Sequence, residues 1–242
     1  MQRIPLLGGA YQSRSLISGA QRSINLYPEL NKDPQAPTQV THYPTPGLTL
    51  RGAAPLASVN RCLYRASNGQ LYTVIRANVY AVSNQYAFTL VGTLNVDLPT
   101  LVSMADNGLV AVLVDGTGTG YAINLADNSF GVISDPNFYG GTRADYVDTF
   151  FTFNTPGTTQ WQISLPLVTF DNLVNGVVTP GNIYPAFDPL DVAAKTSAAD
   201  PLQTVIVMHG NPWLLGTFGT SEIWYNSGAA DFAFDRVPNA VI

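Results

Sequence analysis

The 242-residue chain carries few charged residues, 11% of the total, and a formal net charge of −5. Typical soluble domains have about 25% charged residues, so we expect part of this surface to be buried in an assembly. An excess of acidic over basic side chains argues against a broad phosphate-binding surface, so nucleic acid is not the expected partner. The longest apolar run, Leu109 to Val114, is far shorter than the ~20 residues that span a bilayer, and the residues after Met1 lack a signal-peptide core.

The first 55 residues are predicted to form an extended N-terminal arm. They contain seven prolines and no alternating run of strand length, and prolines at this density favour extended, irregular backbone. We expect the arm, residues 1–55, to wrap on the body of the protein or on a neighbouring subunit.

The remainder, residues 56–242, has the pattern of an all-β protein made of short antiparallel strands. In the first unit, the turn Asn68-Gly69 separates Arg61–Arg65 from Gln70–Ile75, and Asn78–Val82 follows. Asn-Gly between two alternating runs is a strong hairpin signal because both turn residues need positive φ.

A second unit repeats this plan roughly 40 residues later, an offset typical of β-propeller blades. The turn Asn107-Gly108 stands between Leu101–Ala105 and Leu109–Val114, and Gly120–Asn124 follows. The sequence therefore predicts a β-propeller-like fold with about four blades, possibly incomplete as a propeller. The predicted blades are residues 57–98, 99–140, 141–188 and 202–242.

The third and fourth units follow the repeat less closely, and a long connection is predicted between them at residues 172–201. This segment contains four prolines and an Ala-rich stretch, which favours a loop with one short helix. We expect it to be an interaction loop.

No residue pattern predicts catalysis, a cofactor or a metal. His42 and His209 are the only histidines and have no partners at metal-ligand spacing. Cys62 lies in a predicted strand, where a buried, unreactive thiol is expected. The segment Gly116–Gly120 lacks the spacing and the following helix of a dinucleotide-binding loop.

Carboxylates and tryptophans are also interpreted as structural. Asp145 and Asp148 are three apart, so in an extended strand they point to opposite faces and cannot share a substrate. The tryptophans Trp161, Trp213 and Trp224 are expected to fill the space between blades, with a sugar-stacking platform as the alternative. No blade carries the Asp-box hairpin of glycosidase propellers.

Several blocks resemble the packaged-DNA stabilisation proteins, or tail hubs, of short-tailed phages, over nearly the whole chain and in the same order. The blocks are Gln21–Glu29, Tyr43–Leu48, Asn68–Tyr72, Val102–Gly108 and Phe218–Phe232, of which the last is the most specific. The resemblance is to the amino-terminal half of such proteins.

The resemblance implies a non-enzymatic virion protein of the phage tail, assembled in the host bacterial cytoplasm. It implies a homo-oligomeric, hexameric ring below the portal and its adaptor protein, which closes the DNA channel and helps to anchor the tail needle and the fibres or spikes. Packaged DNA would be contacted sterically and without sequence specificity, and no membrane insertion, cofactor, metal or catalytic residue is implied. A carbohydrate-binding or carbohydrate-hydrolysing propeller and a protein-scaffold propeller are the alternatives.

Overall fold

The computed structural model describes residues 24–33, 35, 40–176 and 185–241. The chain divides into two compact units between Arg51 and Gly52, close to the predicted end of the arm at residue 55.

The N-terminal unit contains a two-stranded antiparallel hairpin, β1 (Leu26–Leu30) and β2 (Val40–Pro44). Tyr27 stacks on Tyr43 with ring centroids 5.8 Å apart. The sequence predicted no strand here because Pro28 interrupts the alternating pattern. A hairpin consists of edge strands only, and an edge strand tolerates a proline that has no N–H to donate.

The second unit consists of four four-stranded antiparallel sheets, each formed by four strands that are consecutive in the chain. The first sheet contains β3 (Asn60–Arg65), β4 (Leu71–Ile75), β5 (Asn78–Val82) and β6 (Phe88–Thr93). The second contains β7 (Ser103–Asp106), β8 (Val110–Val114), β9 (Gly120–Asn124) and β10 (Phe130–Val132). The third contains β11 (Ala144–Val147), β12 (Phe150–Asn154), β13 (Gln160–Ile163) and β14 (Val192–Ala194). The fourth contains β15 (Leu202–Met208), β16 (Asn211–Gly216), β17 (Ser221–Asn226) and β18 (Phe234–Val241).

The sheets lie side by side in chain order, with their first strands as neighbours. Strand β3 is next to β7, β7 is next to β11, and β11 is next to β15. Within the described residues no comparable contact leads from β15 back to β3. This is the arrangement of consecutive propeller blades, without closure of the ring.

Apolar clusters join each sheet to the next, and the second sheet is buried on both faces. Strand β8 shows how: Ala111 and Leu113 pack towards the first sheet, whereas Val110, Val112 and Val114 pack towards the third. A strand covered on both faces has a continuous apolar run instead of alternation. The run Leu109 to Val114 is therefore the sequence signature of an inner blade.

The third sheet differs from the prediction because it takes its last strand from the segment predicted to be a connection. Strand β14 pairs with β13 in the register Trp161 to Ala193. A helix, α1 (Phe170–Asn175), follows the N-cap Thr169 and begins two residues before the predicted connection, which was expected to contain one short helix. Residues 177–184, also within the predicted connection, lie outside the described residues. Three-residue strands such as β14 are too short to show a period, which is why this one was missed.

Candidate functional site

The residues that sequence analysis considered for chemistry are placed separately in the structure. His209 is exposed in the turn after β15, with φ of 53°. Cys62 is half-buried, and burial raises the pKa of its thiol to about 11, partly offset by the charge of Arg143. Across the described residues, no three His, Cys, Asp or Glu side chains are placed to hold a metal ion.

Asp145 and Asp148 each bind the fourth sheet, and the two carboxylates do not form a pair. The Asp145 carboxylate accepts a hydrogen bond from the backbone N–H of Val207 at 2.7 Å. Asp148 lies in the turn after β11 and accepts one from the side-chain amide of Asn226 at 3.3 Å. Both carboxylates connect adjacent sheets.

Two of the three tryptophans fill the interface between the third and fourth sheets. Trp161 is fully buried and packs edge-to-face on Trp224, with ring centroids 5.4 Å apart. Phe234 packs against the same Trp161 ring at 5.7 Å. Trp213 lies on the opposite face of the fourth sheet and is half-buried. Burial of Trp161 and Trp224 leaves neither ring free to stack on a sugar.

The turn between the first two strands of a sheet is connected to the next sheet by a side-chain hydrogen bond. Asn68 of the first sheet donates its amide to the Leu125 carbonyl at 3.1 Å. Asn107 of the second donates to the Val168 carbonyl at 2.8 Å. The Asp148 contact occupies the corresponding place in the third sheet, with a carboxylate acceptor. We call these three contacts the turn joints. The repeated Asn-Gly pairs predicted the hairpin turns, but they did not predict that the Asn side chains bind the next sheet.

Asp106 adds a charged joint between the first and second sheets. Its carboxylate accepts hydrogen bonds from the Tyr64 hydroxyl at 2.6 Å, from the backbone N–H of Ser67 at 3.1 Å and from the Ser67 hydroxyl. Burial disfavours the ionised form of Asp106, but these hydrogen bonds outweigh burial and lower its pKa. Burial and the neighbouring carboxylate raise the pKa of Tyr64. Tyr64 therefore stays protonated and donates.

Buried carboxylates also hold residues 185–201 against the sheets. Asp135 accepts from the backbone N–H groups of Ala186 and Phe187 at 2.9 and 3.0 Å. Glu222, fully buried on β17, accepts from the N–H groups of Thr196 at 2.8 Å and of Ser197.

The same Glu222 carboxylate has two further partners. The Trp224 indole N–H donates to it at 3.0 Å, and the guanidinium of Arg236 lies 3.8 Å away. Burial disfavours ionisation of Glu222, but the hydrogen bonds outweigh it and lower the pKa. Residues 185–201, which belong to the predicted interaction loop, are therefore hydrogen-bonded to the sheets of the second unit.

Lys195 is completely buried beside this network. Its ammonium group donates to the Thr220 hydroxyl at 2.5 Å and lies 3.8 Å from the carboxylate of Asp200. Asp200 also accepts from the backbone N–H groups of Phe218 and Thr220. Removing one partner would leave a buried charge uncompensated, so Lys195 and Asp200 depend on each other in this position. The side chains brought together in the described residues have structural roles, and the candidate functional site is the set of sheet faces and joints.

In the part of the chain described here, no helix is long and apolar enough to cross a membrane.

The chain was compared with protein families, curated proteins and solved structures. A family model described as bacteriophage P22 Gp10, beta-propeller, matches residues 2–242. No curated protein matches. Among solved structures, the crystal structure of the computationally designed Ika4 protein aligns with a TM-score of 0.48 and 9% identity, covering 74% of this chain and 98% of that one.

The family match extends over practically the whole chain, and its description names the fold that the side-by-side sheets display. The resemblance noted in the sequence is therefore confirmed. The chain belongs to the phage stabilisation family of bacteriophage P22 Gp10, which makes it a β-propeller protein of the phage tail.

Proposed function

We propose that this protein is a ring-forming tail hub that attaches below the portal and its adaptor, closes the DNA channel and retains the packaged genome. The observation that carries the proposal is the family match over residues 2–242. The low charge of the chain supports it, since surfaces depleted in charge are typical of the centres of protein interfaces.

DNA retention in this proposal is steric. With 16 acidic and 11 basic residues, the protein lacks the excess of Lys and Arg that gives affinity for phosphates. A channel wall of this kind lets DNA slide past during ejection, while closure of the channel prevents leakage. The purified protein is therefore expected to bind duplex DNA more weakly than ~10⁻⁴ M at physiological salt, the weak end of non-specific binding.

The arm is the proposed contact with a neighbouring subunit. Tyr27 and Tyr43 are 49% and 43% exposed, and Leu30 is 73% exposed. A two-stranded hairpin is marginally stable in water by itself, so apolar side chains displayed on one are expected to be covered in the assembled ring. In the same proposal, the assembled hub takes part in anchoring the tail needle and the fibres or spikes, and assembly takes place in the host bacterial cytoplasm as a hexamer.

The test is complementation of a phage that lacks this gene. Particles assembled without the protein should contain no density below the portal adaptor, and their DNA should be digested by added nuclease. The double variant Tyr27→Asp/Tyr43→Asp should fail to restore protection, while the control Leu101→Asp, at a residue that is 68% exposed in the second unit, should restore it. Nuclease-resistant particles in the absence of the protein would refute the role in DNA retention.

A further inference from the structure

Positive and negative charges are divided unequally between the two units. The N-terminal unit, residues 1–51, contains five basic and two acidic residues, whereas the second unit, residues 52–242, contains six basic and fourteen acidic ones. The net charges are therefore +3 and −8. Residues 1–23 are the most basic stretch, with Arg3, Arg14 and Arg22 and no acidic residue. Surfaces of opposite charge attract each other and orient association.

Negative charge in the second unit is concentrated at the end of the sheets that carries the turn joints. Four exposed aspartates lie there, and none of them forms an ion pair within the described residues. Arg65, exposed at the last position of β3, offsets one of these charges. At the opposite end, Arg76 pairs with Asp97 at 2.7 Å. The four aspartates are Asp127, Asp148, Asp171 and Asp231.

An apolar groove opens at this acidic end, between two turns of the second sheet and the start of α1. Its volume is about 320 Å³, and its apolar lining consists of Leu109, Leu125, Ala126 and Phe170. Leu109 is 62% exposed, so the lining is uncovered. Asp171 is the one charged residue of the lining, and Asp127 directly follows Ala126. The second and third sheets are the inner two of the four, so sheets of the same unit bound the groove on both sides.

We propose that this groove binds residues 1–23 of a neighbouring copy of the chain. The proposal rests on the proposed function, in which the arm contacts a neighbouring subunit, and it names the surface that receives the arm. Residues 1–23 contain the two kinds of side chain that the groove binds. Leu16 and Ile17 suit its apolar lining, and Arg14, just before them, pairs with a carboxylate at its edge.

The pairing of arm and groove explains how copies form a ring. The two are different surfaces of one chain, so a contact between them is head-to-tail. Head-to-tail contacts repeat from each copy to the next and close into a ring when the rotation between copies allows it. A ring of more than two subunits requires an interface of this kind.

Sedimentation of the purified full chain between ~1 and ~100 µM covers the dissociation constants expected for a small, partly apolar interface. The expected result is a mass that rises reversibly above that of one chain and rises less at high salt. Reversing the charges on either side, by Asp127→Arg/Asp171→Arg or by Arg14→Asp/Arg22→Asp, should weaken association about tenfold. Combining the two double variants should restore association, which a merely structural role of these residues does not predict.

The matched control is Asp231→Arg/Asp235→Arg, which changes the net charge equally at two exposed positions of the fourth sheet. It should associate like the parent, because charges separated by more than about 8 Å are largely screened at physiological salt.

Oxidative footprinting of the unmodified protein identifies which segment covers the groove. Leu109 and Phe170 should be protected at high concentration and reactive on dilution. Protection that does not change on dilution would show that the groove is covered within one chain, and it overturns the proposal. A chain that stays monomeric at ~100 µM, or whose association the combined charge reversal does not restore, also overturns it. Nuclease protection of particles is scored separately, so a failed arm contact is distinguishable from a failed hub function.

Discussion

Replacing Glu222 tests whether buried carboxylates hold residues 185–201 on the sheets. The carboxylate is fully buried and accepts N–H groups from Thr196, Ser197 and Trp224. Glu222→Ala leaves these donors unpaired. Each buried unsatisfied donor costs about 1–3 kcal/mol, and part of this is recovered when water enters. We expect the free energy of unfolding to fall by about 3–5 kcal/mol, the lower part of the sum for three such donors.

Urea unfolding of the purified chain, followed by tryptophan fluorescence, measures this loss because Trp224 is one of the partners. The chain has a matched control in its other glutamate, Glu29, which is exposed on the N-terminal hairpin. Glu29→Ala should change stability by less than about 0.5 kcal/mol. If Glu222→Ala costs no more than Glu29→Ala, the carboxylate does not hold the segment.

The same contact makes a prediction about pH. The pKa of Glu222 is lowered from its ordinary value of 4.5. The ionised carboxylate therefore stabilises the folded protein at pH values above 4.5. This contribution is lost as the pH falls from 4.5 through the lower pKa that Glu222 has in the folded protein. The stability difference between the parent and Glu222→Gln should be full at pH 7 and should shrink below about pH 4. A difference that stays constant down to pH 3 would show that ionisation is not its source.

Three further substitutions or reactions test other parts of the structure. Gly140→Ala should destabilise the protein by about 3 kcal/mol or more in thermal unfolding. Gly140 has a φ of +80°, and a Cβ there would meet the backbone of Thr117. The control Gly47→Ala should be nearly neutral, because a Cβ at Gly47 meets nothing within 4 Å. Burial, and to a smaller extent the charge of Asp188, raises the pKa of Asp191 from 3.8 to about 6. Ionisation of Asp191 therefore costs stability as the pH rises from about 4 to 6. Asp191→Asn should increase the free energy of unfolding by about 1 kcal/mol at pH 7.5, allowing for solvent screening, and should leave it unchanged at pH 4. The Cys62 thiol, with its pKa raised from 9.0 to about 11, should react with a disulfide reagent at pH 8 about tenfold more slowly in the native than in the unfolded chain. Its thiolate fraction is about 100-fold lower, and the greater nucleophilicity of a more basic thiolate offsets part of this. Equal rates would contradict its burial.

Much of the architecture could be predicted from local sequence patterns. The pairs Asn68-Gly69 and Asn107-Gly108 and the runs beside them identify the hairpins of the first two sheets, because turn conformation and strand alternation depend on neighbouring residues only. The spacing of the two units indicated a repeat, and the resemblance to tail hubs extended it to a family that the comparisons confirm.

Other features depend on partners distant in the chain. Strand β14 exists because Val192–Ala194 meets β13 after a long excursion, and three residues carry no period of their own. The chain has only two glutamates, and nothing adjacent to Glu222 shows that it is buried while Glu29 is exposed. That difference arises when β17 meets the backbone of residues 196–197, because a buried carboxylate is stable only where N–H donors converge on it.

The fourth sheet shows both contributions together. The runs Trp213-Leu214-Leu215 and Ile223-Trp224-Tyr225 already contain the apolar residues of two faces, so the sequence by itself determined that both sides of these strands are apolar. Only the tertiary structure decided which side packs on the third sheet, through Leu214 and Trp224, and which side faces away from it. Strand alternation fixes the two sets, whereas the choice between them depends on where the neighbouring sheet lies.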